Sequence, residues 1–547
     1  MCPGRIYGRV TAGKFSRIRG TGGLQRNEIR RCDSIFGKVY SATIYGIDGI
    51  LVTVEADISD GLPSFDMVGV LSSEVKEAKE RVRTALKNAG FRIPPKRVTV
   101  NLSPADLRKS GSGFDLPIAI SILCALGLIP AESLKSRMFC GELGLDGRLC
   151  AVSGILPAAF AAREKELSGI AVPIDNLPEA QAVEGIQATG LRTLKEAVDW
   201  LNHPEQLGEQ STVPAAEKQE ETEWDFCDIA GQAAVKRAAE IAAAGMHNLL
   251  CVGPPGTGKT MAAKRLPGIL PLMDEAEMLE VTKIYSVRGL LDQGAPLMKK
   301  RPFRAPHHTI SAAALTGGGS VPKPGEISLA HRGVLFLDEL PEFSRTALES
   351  LRQPLEDREL TVARVRRVCH FPADFLFCAA MNPCKCGYYP DRSQCRCSDG
   401  SVRNYRGRIS RPLLDRLDLI VEVPKLTYEE WKSGEQAESS AKIRARVEAA
   451  CQIQRIRFRG MPIRFNSQMS GRQVKQFCPL GEKEEWFMEQ IFQKMGMSPR
   501  HYDRILKVAR TAADLEGEER IREEHLSEAV FYRSMAEKYW RGEEEYG

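Results

Sequence analysis

Leu249-Leu250-Cys251-Val252, followed without a break by Gly253-Pro254-Pro255-Gly256-Thr257-Gly258-Lys259-Thr260, decides the fold of the chain around it. Four apolar residues in a row make a short buried strand. The glycine-rich octet after them is a complete phosphate-binding loop in its strand–loop–helix setting. Its glycines let successive backbone N–H groups turn inward around phosphates, and the start of the following helix adds positive potential. In this frame Lys259 reaches the β- and γ-phosphates of ATP and the Thr260 hydroxyl binds Mg²⁺.

Working outward, Val334–Leu337 is an apolar strand ending in Asp338-Glu339. Asp338 sits where a carboxylate holds the Mg²⁺ shell, and Glu339 is placed to polarise the attacking water. A third strand, Phe375 to Met381, ends at Asn382, whose amide can orient that water and touch the γ-phosphate. Strand runs alternate with helical patterns from Phe226 to Val423, which implies a parallel sheet wrapped by helices. From about Tyr428 the strand runs stop, and Ile505, Val508, Ala509, Ala512 and Leu515 line one helical face.

Upstream, Ile35 to Trp200 has a compact α/β pattern. Strand-like alternation runs through Val39–Ile44 and Leu51–Ile58, a helical stripe through Val75, Ala78, Val82, Ala85 and Ala89, and a further strand through Val98–Leu102. His203–Glu223, rich in Glu, Gln, Pro and Ser, is a linker. Met1–Arg31 carries eight Lys or Arg against Glu28 and no apolar core, so residues 1–33 are expected to be a disordered basic extension.

Composition narrows the class further. The 547 residues, 43% hydrophobic and 27% charged, supply material for about three globular domains. The longest apolar stretch, Leu116 to Ile129, contains Pro117 and falls short of the roughly 20 residues a bilayer needs. No membrane partner is expected. A net charge of +5 does not by itself imply nucleic acid, and fifteen scattered cysteines without a secretory leader fit a reduced, cytoplasmic protein.

The order of parts resembles the AAA+ ATPases once Ser410-Arg411-Pro412-Leu413-Leu414-Asp415-Arg416 is added. Three stretches place the resemblance in the Mg-chelatase-like proteins of the YifB/ComM type. They are Arg304-Ala305-Pro306-His307-His308-Thr309, the run Gly325 to Phe343, and Ala380-Met381-Asn382-Pro383-Cys384. The resemblance covers about Ile35 to Tyr532. It implies an α/β multidomain chain: a degenerate Lon-protease-like domain over 34–202, an acidic linker over 203–224, an AAA+ core over 225–424 and a helical lid over 425–547. It also implies a hexameric homo-oligomer, with Arg416 as a finger reaching the neighbouring subunit's site and Arg500 contacting phosphate in cis. Arg411, where the family commonly has Gly, stands as the alternative finger. Asp225–Gln232 matches the entry segment beside the adenine.

Pro104–Pro117 resembles the Lon segment carrying the nucleophile, and Gly141–Pro157 the one carrying its lysine base. At those positions this chain has Gly113-Phe114 and Leu156-Pro157, so no Ser–Lys dyad is expected.

Cys384-Lys385-Cys386 and Cys395-Arg396-Cys397 form two pairs across a short loop, an insertion over 384–397 whose four thiolates suit tetrahedral Zn²⁺; reduced cysteines on a flexible loop are the alternative. Leu360 to Phe371 is expected to be a hairpin with Arg364, Arg366 and Arg367 at its tip. In the resembling branch this insertion lines the pore, where arginines meet DNA phosphates; a solvated basic turn is the alternative. His307 and His308 are expected to point to different sides, against a shared metal. The resemblance implies an ATP-hydrolysing motor on single-stranded or branched DNA, a branch-migration helicase of recombination or natural transformation. The alternative is a chelatase-type accessory ATPase that remodels a protein partner for metal insertion.

Overall fold

The computed structural model describes residues 36–206, 224–292, 297–319, 321–363, 368–425, 428 and 438–540. The expected basic extension, most of the linker and the arginines 364, 366 and 367 lie outside the described residues.

The first sheet uses β1 (Gly37–Tyr45), β2 (Asp48–Ser59), β3 (Ser64–Val68), β4 (Arg97–Ser103), β5 (Arg137–Phe139), β6 (Gly169–Pro173) and β7 (Gln187–Leu191). Their order is β3-β4-β2-β1-β5-β6-β7. The pairs β1–β2 and β2–β4 are antiparallel and the others parallel, so this is a mixed sheet. Alternation along β2 sorts its side chains to two cores. Val52 and Val54 pack with Ile118 and Ile122 of the helix Asp115–Ala125. Leu51 packs with Leu156 and Ala159 of the helix Ile155–Glu164 on the other face. Both helices lie directly on backbone. A Cβ at Gly37 would stand 2.0 Å from the Ser121 carbonyl oxygen, and one at Gly49 would stand 2.3 Å from that of Pro157. The helical stripe is the helix Ser73–Asn88, capped by the Ser72 side chain and ended before Gly90 at φ +93°.

The second sheet is built from β8 (Leu249–Val252), β9 (Phe303–Arg304), β10 (Val334–Leu337), β13 (Leu376–Met381) and β14 (Leu419–Glu422). All pairs are parallel, in the order β9-β10-β13-β8-β14. Every residue of β8, β10 and β13 is buried, as a sheet covered on both faces requires. Leu249 and Cys251 face one core, Leu250 and Val252 the other. Between β10 and β13 the antiparallel strands β11 (Glu359–Ala363) and β12 (Val368–Pro372) form the expected hairpin, paired up to Ala363 opposite Val368. Its buried Phe371 packs with Tyr45 and Ile47 at the β1–β2 turn.

The C-terminal part is helical: Ser440–Arg457, Gly471–Phe477, Glu482–Met495, Pro499–Leu515 and Glu523–Trp540. Among the described residues it has no core of its own. Ile443, Val447, Ile505, Val508 and Leu526 share one cluster with Leu249 and Cys251 of β8. Among the described residues no helix is long and apolar enough to cross a membrane.

Replacing Gly49 by Ala forces a methyl against the Pro157 carbonyl. A loss of about 1–3 kcal/mol is expected, typical of overpacking, read as an earlier urea midpoint of the full chain. Leu62→Ala, at a side chain 88% exposed, should leave the midpoint in place.

Candidate nucleotide site and cysteine cluster

The parallel pairing of three strands brings the site together. Val252 lies opposite Met381 and Leu337 opposite Ala379, so the chain leaves β8, β10 and β13 side by side as the phosphate loop, Asp338-Glu339 and Asn382. The loop turns at Gly256 and Gly258, with φ of +77° and +86°, values that favour glycine. Gly253 needs to be small for another reason: its Cβ would stand 2.3 Å from the Val423 carbonyl oxygen. The helix Lys259–Ile269 starts at the loop's end. Thr257 donates its hydroxyl to the Pro254 carbonyl at 3.0 Å, and Pro255 lies between them at the crown.

Lys259 is buried and its Nζ donates to the carbonyls of Gly253 and Pro254, each at 2.7 Å, and to Asn382 Oδ1 at 3.1 Å. Burial lowers its pKa from the ordinary lysine value, opposed by the charges of Asp338 and Glu339. The Thr260 hydroxyl donates to Asp338 Oδ2 at 2.6 Å, and the Asp338 side chain also accepts from the Glu339 backbone N–H at 2.9 Å. A hydroxyl and a carboxylate in direct contact are the donor set for a Mg²⁺ shell. Glu339 has φ +51°, a left-handed conformation rare for a side-chain-bearing residue, and its carboxylate is 55% exposed.

His308 meets that carboxylate, its Nδ1 lying 3.5 Å from Glu339 Oε2. Its ring is set edge-on to Phe343 at 6.4 Å and lies 4.1 Å from the His307 ring. The expectation that the two imidazoles point to different sides is therefore corrected. The irregular segment after β9 lets neighbouring rings lie together, where a strand would have separated them. The sequence offered no sign of the contact with Glu339, which depends on β9 lying beside β10.

The entry segment is held from three sides. Arg265 donates to the Asp225 carbonyl at 2.6 Å and to Asp228 Oδ2 at 2.7 Å; Ser440 accepts from Phe226 N at 2.8 Å and donates its own N–H to Asp225 Oδ1 at 2.9 Å. Gln232, at φ +52°, donates to the Thr257 carbonyl at 2.5 Å. Sequence reading found the segment but not Arg265 or Ser440.

Arg416 follows the short helix Arg411–Leu414. It donates to the Pro412 carbonyl at 2.7 Å and pairs with Glu356 of its own chain. Arg411 is exposed. Arg500 is exposed in the first turn of Pro499–Leu515. Among the described residues, neither Arg416 nor Arg500 makes a hydrogen bond or ion pair to the phosphate loop.

The four cysteines converge as expected. All four sulfurs lie within 4.8 Å of one another, with Cys384–Cys386 at 3.3 Å, Cys386–Cys395 at 3.5 Å and Cys384–Cys395 at 3.7 Å. Tetrahedral Zn²⁺ with bonds of about 2.3 Å needs sulfurs roughly 3.8 Å apart, so the donor set fits that ion. A backbone N–H at Tyr388 holds the Cys386 thiol down to about 6, while burial pushes the Cys395 thiol up to about 12.

At the position where the resemblance puts a nucleophile, Gly113 lines a cleft of about 640 Å³ with Ser112, Cys140 and Ser153. Lys323, from the glycine-rich hairpin Gly317–Gly318/Lys323–Pro324 of the second sheet's insertions, also lines it. Leu156 is fully buried.

Residues 225–431 match the family profile for magnesium chelatase, subunit ChlI; 54–176 match subunit ChlI of Mg-chelatase, and 437–533 its C-terminal region. The chain is 45% identical over 502 residues to competence protein ComM of Haemophilus influenzae, covering 91% of this chain and 97% of that one. It is 40% identical over 502 residues to an uncharacterized protein, YifB, of Escherichia coli, with the same coverage of 91% and 97%. A shorter stretch of 146 residues, 25% of this chain and 26% of the other, is 31% identical to Lon protease 2 of Bacillus subtilis. A phosphate loop on a five-stranded parallel sheet, helices that share its core and identity along nearly the whole length place the chain in the Mg-chelatase-like AAA+ ATPases of the YifB/ComM family.

Proposed function

We propose that this chain is the protomer of a hexameric, ATP-driven ring that works in the cytoplasm on DNA, moving along single strands or branch points and remodelling recombining molecules. The observation that carries this reading is the 45% identity to a competence protein across 91% of the chain. The hairpin β11–β12 supports it. Its strands are paired up to Ala363 and Val368, and the sequence between them is Arg364-Val365-Arg366-Arg367, whose three positive charges suit phosphates. Rapid ATP-dependent movement on a polyanion needs contacts of this kind, charge-based and indifferent to sequence.

In this reading Lys259 and the backbone of Gly253–Thr260 hold the triphosphate, while Thr260 and Asp338 hold Mg²⁺. Glu339 polarises the water, Asn382 orients it, Arg500 contacts the γ-phosphate in cis and Arg416 serves the neighbouring subunit. For that role Arg416 must exchange Glu356 for phosphate, a swap between two anionic partners. The first α/β unit, with Gly113 and Leu156 at the Lon dyad positions, is a proteolytically inactive collar. The cysteine cluster holds one Zn²⁺ with no open coordination position.

Lys259→Ala is expected to weaken ATP binding, since it removes a charge that offsets ground-state phosphate. Glu339→Gln should bind ATP normally and hydrolyse it about 100-fold or more slowly, the share general-base catalysis supplies. Equilibrium binding and single-turnover hydrolysis on the same preparations separate the two, and normal turnover in Glu339→Gln removes it from the chemistry.

ATPase rate should rise several-fold with single-stranded or forked DNA, and Arg364, Arg366 and Arg367 changed together to Ala should abolish the rise while leaving the basal rate. A rate indifferent to every DNA form turns the reading toward a chelatase-type motor acting on a protein.

A finger supplied in trans is worth about 10³–10⁵ in rate in related phosphoryl transfer. Mixing Arg416→Ala with Lys259→Ala chains should therefore recover activity that neither has alone, because some interfaces pair an intact loop with an intact finger. Mixed rings without recovery would assign the finger to Arg411 or place Arg416 in cis.

A further inference from the structure

We propose that metal loading of the Cys384, Cys386, Cys395 and Cys397 cluster sets the affinity of the phosphate loop for nucleotide. The proposal rests on the reading of the cluster as a zinc site, and its physical basis is a direct contact between the cysteine loop and the phosphate loop. Gly387, next to Cys386, lies against Pro255 so closely that a Cβ there would stand 2.5 Å from Pro255 Cδ. Gly387 also has φ +87°, so the sequence meets two demands at that position with one residue. Pro255 is the crown of the phosphate loop, between Pro254, whose carbonyl takes a hydrogen bond from Lys259, and Gly256.

A second connection runs through the backbone. Asn382, which accepts from Lys259 Nζ at 3.1 Å, is two residues from Cys384, the most buried thiol of the cluster. The cysteine pairs thus follow directly from the strand tip whose Asn382 meets Lys259.

The start of the cysteine loop is also tied to the C-terminal helix. Arg406 donates to the Pro383 carbonyl at 2.9 Å and to the Tyr539 carbonyl at 2.9 Å, and its guanidinium lies over the rings of Tyr389 at 4.6 Å and Tyr539 at 4.9 Å. Trp540 Nε1 donates to the Arg406 carbonyl at 3.4 Å. The cysteine loop is therefore linked through Arg406 to the helix Glu523–Trp540 and through Gly387 to the crown of the phosphate loop. Four thiolates on one divalent ion would hold this short loop in a single shape. Without the ion, the thiols are left with weak S–H contacts, and the turn that seats Gly387 on Pro255 loses its fixed shape. Preorganisation of the phosphate loop is lost with them, so nucleotide must order the loop as it binds.

The test uses the full chain. Zinc is counted by elemental analysis, and ADP affinity is measured by calorimetry before zinc is stripped with a strong chelator, after stripping, and after zinc is returned. Affinity should fall at least tenfold on stripping and recover with zinc. Gly387→Ala should keep its zinc and bind ADP several-fold more weakly, because the added methyl must displace Pro255. Cys150→Ser, at an exposed cysteine of the first domain, should match the wild type in both measurements. Unchanged ADP affinity in zinc-free protein overturns the proposal, as does a zinc-loaded Gly387→Ala protein that binds ADP like the wild type. If stripping unfolds the chain, the Gly387→Ala measurement decides alone; if that variant loses zinc, it is judged as metal-free protein. Protein that never carries zinc fails at the metal count, which overturns the zinc reading before any nucleotide is added.

Discussion

The buried ammonium of Lys259 is the constraint on which the site depends. A lysine carries three N–H donors, and burying the charge without partners would cost far more than a folded chain can offset. Here all three donors are satisfied by fixed oxygens, two from the start of its own loop and one from Asn382. The Asn382 oxygen stands at that point because β8 pairs in parallel with β13, with Val252 opposite Met381. The same registration between β10 and β13 puts Asp338 within reach of Thr260. A slip of one residue in either pairing would turn the strand-tip side chains to the opposite face and dismantle the site.

A second polar cluster ties the C-terminal helices to this sheet. Asp418, at the start of β14, accepts from His247 Nδ1 at 3.3 Å and from Asn248 N at 3.2 Å; His247 Nε2 meets Thr511 Oγ1 at 2.8 Å. Asn248 in turn donates to the Arg416 carbonyl at 2.8 Å. Burial works against the charge on Asp418, yet the His247 hydrogen bond and the nearby Arg504 and Lys507 charges hold its pKa down to about 2. Because the folded value lies below the unfolded one, this carboxylate stabilises the fold above about pH 4 and ceases to do so as pH falls through about 2. The helix Pro499–Leu515, which carries both Thr511 and Arg500, is thereby fixed to the N-terminal ends of β8 and β14, the end of the sheet away from the phosphate loop. One chain of hydrogen bonds thus runs from Thr511 through His247 and Asp418 to Asn248 and the Arg416 carbonyl.

The N-terminal sheet meets the second sheet through its insertions. Phe371 of the β11–β12 hairpin packs at the β1–β2 turn, Lys283 pairs with Asp48 at 2.6 Å, and the Gly317–Pro324 hairpin reaches the cleft beside Gly113. Both hairpins grow from connections flanking β10, the strand that carries Asp338 and Glu339, so the layers are joined where nucleotide chemistry would be felt.

What the sequence determined by itself was local. The strand–loop–helix around Lys259, the acidic end of β10, Asn382 at its strand tip, the hairpin strands and the two cysteine pairs are contiguous motifs. Each is set by backbone and side-chain chemistry within about a dozen residues. Tertiary structure alone decided what meets across longer separations. It placed His308 against Glu339, seated Gly387 on Pro255, turned Ser440 and Arg265 onto the entry segment, and gave the C-terminal helices a share of the β8 core instead of a core of their own. Those contacts follow from strand order and from which face of each helix is covered. Hydrophobic periodicity specifies that a face is apolar but not its partner, because burial is non-directional and any apolar surface of matching shape satisfies it.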